Sequence, residues 1–252
     1  MTLLAVERIK LFSTRSPWWC MALAMTLTIG MAALISANTN DDFPLTVGVS
    51  QSFNNFGMIV IMVMAALAIT TEYRFGTIRA TFLAVPGRIQ ALIAKTVVVA
   101  LLAGLVGEVV AFGSWGISKL MKPDVDIAIN TSVEWRNVAG TGLVFMIAAV
   151  LAIAVGTLVR QTAGAVAILL VYSLLVESLI GLIPNIGVKI QRWMPFQHAD
   201  HFLTADNAPL PEGAGPPRLD FPFGAWGSLA YFAAIGFGLL VVALVVAKRR
   251  DA

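Results

Sequence analysis

Runs of about twenty apolar residues recur six times along this chain, and almost no charge interrupts them. A run of that length is what an α-helix needs to cross the hydrocarbon core of a bilayer. The runs lie at about 18–37, 53–71, 96–117, 138–159, 162–183 and 224–247. They predict an all-α polytopic membrane protein, a single transmembrane domain of six transmembrane helices, because a helix satisfies its own backbone in lipid. Composition agrees: 58% of the residues are hydrophobic and 12% are charged, where soluble domains are about a quarter charged. All eleven prolines lie outside the six runs as drawn, which supports the boundaries.

The segments between the runs carry the polar residues. In residues 1–16, Leu4, Ile9, Leu11 and Phe12 can share one broad helical face, with Glu7, Arg8, Lys10 and Arg15 mostly elsewhere. That pattern predicts an N-terminal interfacial helix, separated from the first span by Pro17. Its cations resemble the start of a secretory signal, but no convincing cleavage motif follows the apolar run. The segment 184–223 divides in two. Residues 184–203 are apolar but broken by Pro195, and carry Lys189, Arg192, His198 and His201. They are too short for two spans and read as a re-entrant or interfacial hairpin before span six. Residues 204–222 hold five prolines and predict an extended loop.

Orientation follows from the placement of Lys and Arg. With the N-terminus inside, eleven of the seventeen fall on the inner side and six on the outer; nine of the fourteen acids fall outside. Both termini and the 72–95 segment are then cytoplasmic, and 184–223 is extracellular. The basic character of the chain, pI about 9.2, is accounted for by topology and does not call for nucleic acid.

The 72–95 segment is a cationic island in an oily chain, with Glu72, Arg74, Arg79, Arg88 and Lys95 close together. Ile78, Ala80, Thr81, Phe82, Leu83 and Val85 can form a short helix along the membrane face. Arg74 and Arg79 can pair with acids on a soluble subunit, and Glu72 with a cation or a helix end. Gly76 permits a sharp bend, Pro86 would end the short helix, and Lys95 would anchor the third span at the interface.

Catalytic motifs are absent. There is no Walker-type phosphate loop, so ATP is not expected to bind this chain in that manner, and no zinc-protease helix motif. His198 and His201, near Asp200, have a spacing that could share a metal, but two surface histidines are the simpler reading, and no metal site is expected. The single cysteine, Cys20, is expected to pack as a small apolar residue. Two acids fall within the runs, Glu108 and Glu177. A carboxylate facing lipid costs about 2.5–3.5 kcal/mol on insertion scales, so each should face the bundle interior, a polar cavity or a partner. Glu177, followed by Ser178, is the better candidate for a substrate pathway; an interhelical hydrogen bond is the alternative for both acids. Ala100, Gly104, Gly113, Gly116, Gly140, Gly142, Gly156 and Gly164 are candidates for close helix contacts.

The run Glu72-Tyr73-Arg74-Phe75-Gly76-Thr77, then Arg79, Pro86-Gly87-Arg88 and Lys95, resembles the cytoplasmic loop of the ABC-2 type transporter permeases. The resemblance extends to the plan: an N-terminal segment with Glu7, Lys10 and Arg15, six spans, the two-residue turn Arg160-Gln161, and a long outer segment before the last span. It implies the transmembrane subunit of a type V ABC exporter in the plasma membrane. It implies two permease chains, identical or similar, and separate P-loop ATPase subunits that carry ATP and Mg2+. This chain would hold no cofactor and would not itself be an enzyme. The island, with Glu72, Arg74, Gly76, Thr77, Arg79, Pro86, Arg88 and Lys95, would be the coupling helix region seated on the ATPase. The cargo class suggested by the mostly aliphatic spans is a hydrophobic or amphipathic small molecule, drug- or lipid-like; sodium, peptide or glycan are other family cargoes. A competing class is an ATP-independent channel or structural membrane partner; a third is an intramembrane enzyme using Glu108 or Glu177.

Overall fold

The computed structural model describes residues 3–40, 43–78, 81, 88–205 and 219–250. Among these it is helical, without strands, and six helices are long and apolar enough to cross a membrane. This is the fold of a multi-pass membrane protein. In chain order the elements are α1 (Leu3–Ser13), α2 (Arg15–Ala37), α3 (Val47–Ser50), α4 (Asn54–Arg74), α5 (Arg88–Met121), α6 (Ser132–Val159) and α7 (Thr162–Val171). A π-helical turn, Tyr172–Val176, joins α7 to α8 (Glu177–Ile180); α9 (Gly187–Gln191), α10 (Pro195–Thr204) and α11 (Ala225–Arg250) follow.

Several boundaries differ from the hydropathy of the runs, each for a local reason. The break between α1 and α2 falls at Thr14, which is extended, and Pro17 sits buried in the first turn of α2. A proline costs nothing there, because first-turn N–H groups have no intrahelical acceptor. Helix α5 begins at Arg88, so Lys95 lies two turns inside it. Helix α6 begins at Ser132 because Thr131 and Glu134 form a capping box. The Thr131 hydroxyl accepts from Glu134 N at 3.2 Å, and the Glu134 carboxylate accepts from Thr131 N at 2.8 Å.

Helix α6 is the centre of the bundle, packed on α4, α5, α10 and α11. Its core contacts are Phe145, Ala148, Ala149, Ala152 and Ile153, all essentially buried. The α5–α6 seam is closest, and glycine allows it. A Cβ on Gly107 would stand 2.9 Å from the Phe145 ring and 3.0 Å from Gly142 Cα, and a Cβ on Gly142 would collide with the Glu108 carboxylate. Gly104, Gly140, Gly156 and Gly113 also face near neighbours, whereas Gly116 has open space. Helices α2, α7 and α11 keep large aliphatic side chains such as Leu34, Ile168, Val171 and Val241 outward. In a bilayer these faces need no water-driven burial.

Gly142→Ala should destabilise the bundle by about 1–3 kcal/mol, read as a lower thermal midpoint in detergent. Gly116→Ala, with nothing within 4 Å of the added carbon, should leave the midpoint unchanged. Equal midpoints for the two variants would contradict the seam.

Candidate functional site: a charge cluster and a polar cavity

Helix α4 joins two polar regions. Asn54 opens it and Glu72 lies eighteen residues on, about 27 Å away at 1.5 Å per residue.

At the Glu72 end, four charges meet. Lys95 Nζ lies 2.6 Å from Glu7 Oε2 and 3.0 Å from Glu72 Oε1; Lys10 Nζ lies 2.8 Å from Glu7 Oε1 and 3.4 Å from Glu72 Oε1. The contact of Lys95 with Glu7 is a charge pair rather than an aligned hydrogen bond. Two carboxylates alternate with two ammonium groups, so the cluster is neutral although Glu7 and Lys95 are buried. Lys10 Nζ also donates to Thr81 Oγ1 at 3.0 Å. The cluster ties α1 to the end of α4 and the start of α5. Burial alone would push the Glu7 carboxyl up, but Lys95 and Lys10 outweigh it and hold it below its ordinary value. Burial would likewise push Lys10 down, but Glu7 and Glu72 hold it above its ordinary value.

Sequence reasoning assigned Glu72 and Lys95 to the island and missed that Glu7 and Lys10 complete their shell. The readable signal was an acid and a base three apart on a helix otherwise fit for a membrane surface. In α1 the inward residues are Glu7 and Leu11, while the apolar Leu4 and Ile9 are exposed. The helix thus turns its charge toward the protein and leaves aliphatic groups outward.

Past the cluster, α4 ends at Arg74, and Gly76 takes φ +71°, a left-handed conformation that closes the helix with Gly76 N donating to Tyr73 O. Arg74, Phe75 and Thr77 are exposed, with Phe75 71% so and the Arg74 guanidinium over its ring at 5.6 Å. Ile78 turns back to pack with Ile69, Leu92 and Ala247, which brings the end of α11 to the same end of the bundle. The Arg160 turn joins it, its guanidinium 5.0 Å from the Tyr73 ring. Arg79 and Pro86 lie outside the described residues, as do Ala80, Phe82, Leu83 and Val85; of Arg88 the helical backbone is described.

At the other end is a cavity of about 440 Å³ bounded by the α3–α4 junction, α6, the π-turn and α8, and α10. Glu177 and Ser178 line it; Glu108 does not, and packs instead against the Gly142 backbone in the α5–α6 seam. The π-turn ends on Glu177, whose N–H reaches the Tyr172 carbonyl. This turn sets Glu177 inward at 1% exposure while Leu174, Leu175 and Leu179 face outward. The Glu177 carboxylate then accepts from Phe196 N at 3.1 Å and Gln197 N at 3.0 Å, capping the first turn of α10. Asp200 lines the cavity and is exposed. His198 and His201 turn their Nδ1 atoms to the buried Ser228 hydroxyl, at 3.0 and 2.9 Å. Ser228 has one proton to give, so one neutral ring accepts it and the other donates. Burial, then the nearby His201, pushes His198 down. Cys20 is a partly buried free thiol in α2.

Neither the protein-family models nor the curated protein sequences gave a match to this chain.

Lys95→Met leaves the buried Glu7 and the partly buried Glu72 with one cation, and should cost about 3–5 kcal/mol of stability. The double variant Lys95→Met/Glu7→Gln, neutral again, should recover most of it in a thermal scan. A double variant no better than the single would contradict the neutral cluster. The pH profile has a sign as well. Glu7 is held below 4.5, so its contribution is complete above about pH 4.5 and lost as pH falls through its folded value. Lys10 is held above 10.5, so its contribution is complete below about pH 10.5 and lost as pH rises further. Protease protection of α1 should therefore be flat across neutral pH and fall at both extremes; a midpoint near pH 7 would contradict the assignment.

Proposed function

We propose that the chain is the permease subunit of an ABC exporter of the ABC-2, type V class, in the plasma membrane with both termini cytoplasmic. The observation that carries this reading is the mechanical character of the Glu72 end. An exposed tip, Arg74 to Thr77, follows directly on a buried ion cluster that joins three helices. Force applied at such a tip reaches α1, α4 and α5 together, because separating them exposes unpaired charge. That is what a subunit driven from outside the membrane requires. The Gly-Thr and Pro-Gly-Arg pattern of residues 76–88 and the six-span plan support the same reading.

In this account a separate P-loop ATPase, carrying ATP and Mg2+, seats against the 72–95 coupling region and moves it. Arg74 and Arg79 supply the charge for docking and Phe75 an apolar knob. Glu72 and Lys95 act one layer deeper, passing the movement into the bundle. A second permease chain, identical or similar, covers part of the outward aliphatic surface of α2 and α7, and lipid covers the rest. The α9–α10 hairpin serves as a re-entrant element at the outer end. Glu177 and Ser178 border the outward route, and Glu108 supports the α5–α6 seam. The cargo is a hydrophobic or amphipathic small molecule moved out of the cell.

The test is co-purification from native membranes with ATP hydrolysis as the readout. Wild type should bring down a P-loop ATPase whose activity depends on the complex. Arg74→Glu/Arg79→Glu should lower that activity at least about tenfold, the effect of reversing paired interface charges, while inserting normally. Unchanged activity, or a purified chain with no ATPase, would sink the exporter reading.

A further inference from the structure

The outward side of the first two helices combines cations with apolar side chains and holds no acid. Glu7 is the only Asp or Glu in residues 1–40, and it is turned inward onto Lys10 and Lys95. Arg8 and Arg15 are exposed, and among the described residues neither pairs with a carboxylate. Leu4, one turn before Arg8, and Ile9, next to it, are exposed as well. Arg15 opens α2, the first of the membrane-length helices. Trp19, Leu23 and Leu27 follow it at intervals of four, which keeps them on one broad side of the helix, and all three are exposed.

In a bilayer that side meets the acyl chains at Leu23 and Leu27, and tryptophan sets its depth. Trp18 and Trp19 are 56% and 72% exposed, and exposed indoles sit at the boundary of hydrocarbon and headgroup. Arg15 lies one turn beyond Trp19, about 6 Å along the axis at 1.5 Å per residue, which puts it in the headgroup layer. The elbow between the helices is fixed. Trp18 Nε1 donates to the Phe12 carbonyl at 3.3 Å, and the two rings lie 5.2 Å apart. Arg8, one turn before Phe12, is thereby held beside the place where α2 leaves the hydrocarbon. A guanidinium at that depth can give two parallel hydrogen bonds to a phosphate. A zwitterionic headgroup brings its own ammonium charge to the site and an anionic one does not, so arginines without an acid beside them favour the anionic lipid. An arginine on the side that carries Trp19 and Leu23 is presented to lipid and not to a soluble partner.

We propose that the α1–α2 elbow docks the headgroup of an anionic phospholipid, with Arg8 and Arg15 as counter-charge and Trp18 and Trp19 setting the depth. The proposal rests on α2 spanning a membrane and not on the exporter reading, and no ATPase enters its test. The full chain, purified in neutral detergent, is titrated with phosphatidylglycerol or with phosphatidylcholine of the same acyl chains. Native mass spectrometry reads the bound lipid and the oligomeric state. Phosphatidylglycerol should bind at least about tenfold tighter than phosphatidylcholine. Arg8→Gln and Arg15→Gln should each weaken phosphatidylglycerol about fivefold, the contribution of one basic residue at an anionic surface. Both should leave phosphatidylcholine binding unchanged, which also shows that the variants fold. Lys189→Gln, exposed on α9, removes the same net charge elsewhere and should leave both lipids unchanged. Equal affinity for the two lipids, or unaffected arginine variants, overturns the proposal. So does an equal loss in Lys189→Gln, which would make the preference one of net charge alone. A dimer that forms and excludes phosphatidylglycerol would give this face to a second copy of the chain, and overturns it too.

Discussion

The structure depends most on the four charges at the Glu72 end of the bundle. Taken singly, Glu7 and Lys95 would be costly where they stand, because each is buried against apolar helix. Taken together with Lys10 and Glu72 they cancel, and each ammonium bridges both carboxylates. Such a cluster adds little net stability compared with an aliphatic core, but it is intolerant of separation. Aliphatic contacts can slide, while an alternating ring of charges has one register. This turns three helices into one body at the end of α4.

That body sits at one end of a rigid lever. Helix α4 carries Glu72 at one terminus and Asn54 at the other, and it packs along its length on α6. The glycine seam of α5 on α6 locks the neighbouring helix to the same centre. The fifth crossing is different: a π-turn interrupts it directly before Glu177. The two ends of the bundle therefore have opposite chemistry. The Glu72 end is a neutralised ion cluster beside the exposed Arg74, and the Asn54 end is a polar cavity lined in part by α10.

Much of the fold was legible in the sequence because lipid imposes a simple rule on it. Six uninterrupted apolar runs have no folded alternative to six helices, and the helices occur where the runs do. Their ends were less legible, because side-chain caps and not hydropathy set them. Thr131 with Glu134 starts α6 well before its apolar run, and Gly76 stops α4 by a left-handed turn. The island was visible as charge out of place, but the partners of Glu72 and Lys95 come from α1, some sixty to ninety positions away. Pairing at that separation leaves no periodic mark. Glu177 was readable as an acid that must find polar company; that its company is the first turn of α10 depends on a π-turn that sequence pattern does not reveal.

The ion cluster holds α1 and the exposed tip after α4 as one unit. Spin labels at Arg8→Cys and Thr77→Cys, both exposed positions, with Cys20→Ser to remove the native thiol, test it by pulsed dipolar spectroscopy. The distance distribution should be narrow, broaden when Lys95→Met is added, and narrow again with Glu7→Gln beside it. A distribution equally narrow without Lys95 would contradict it.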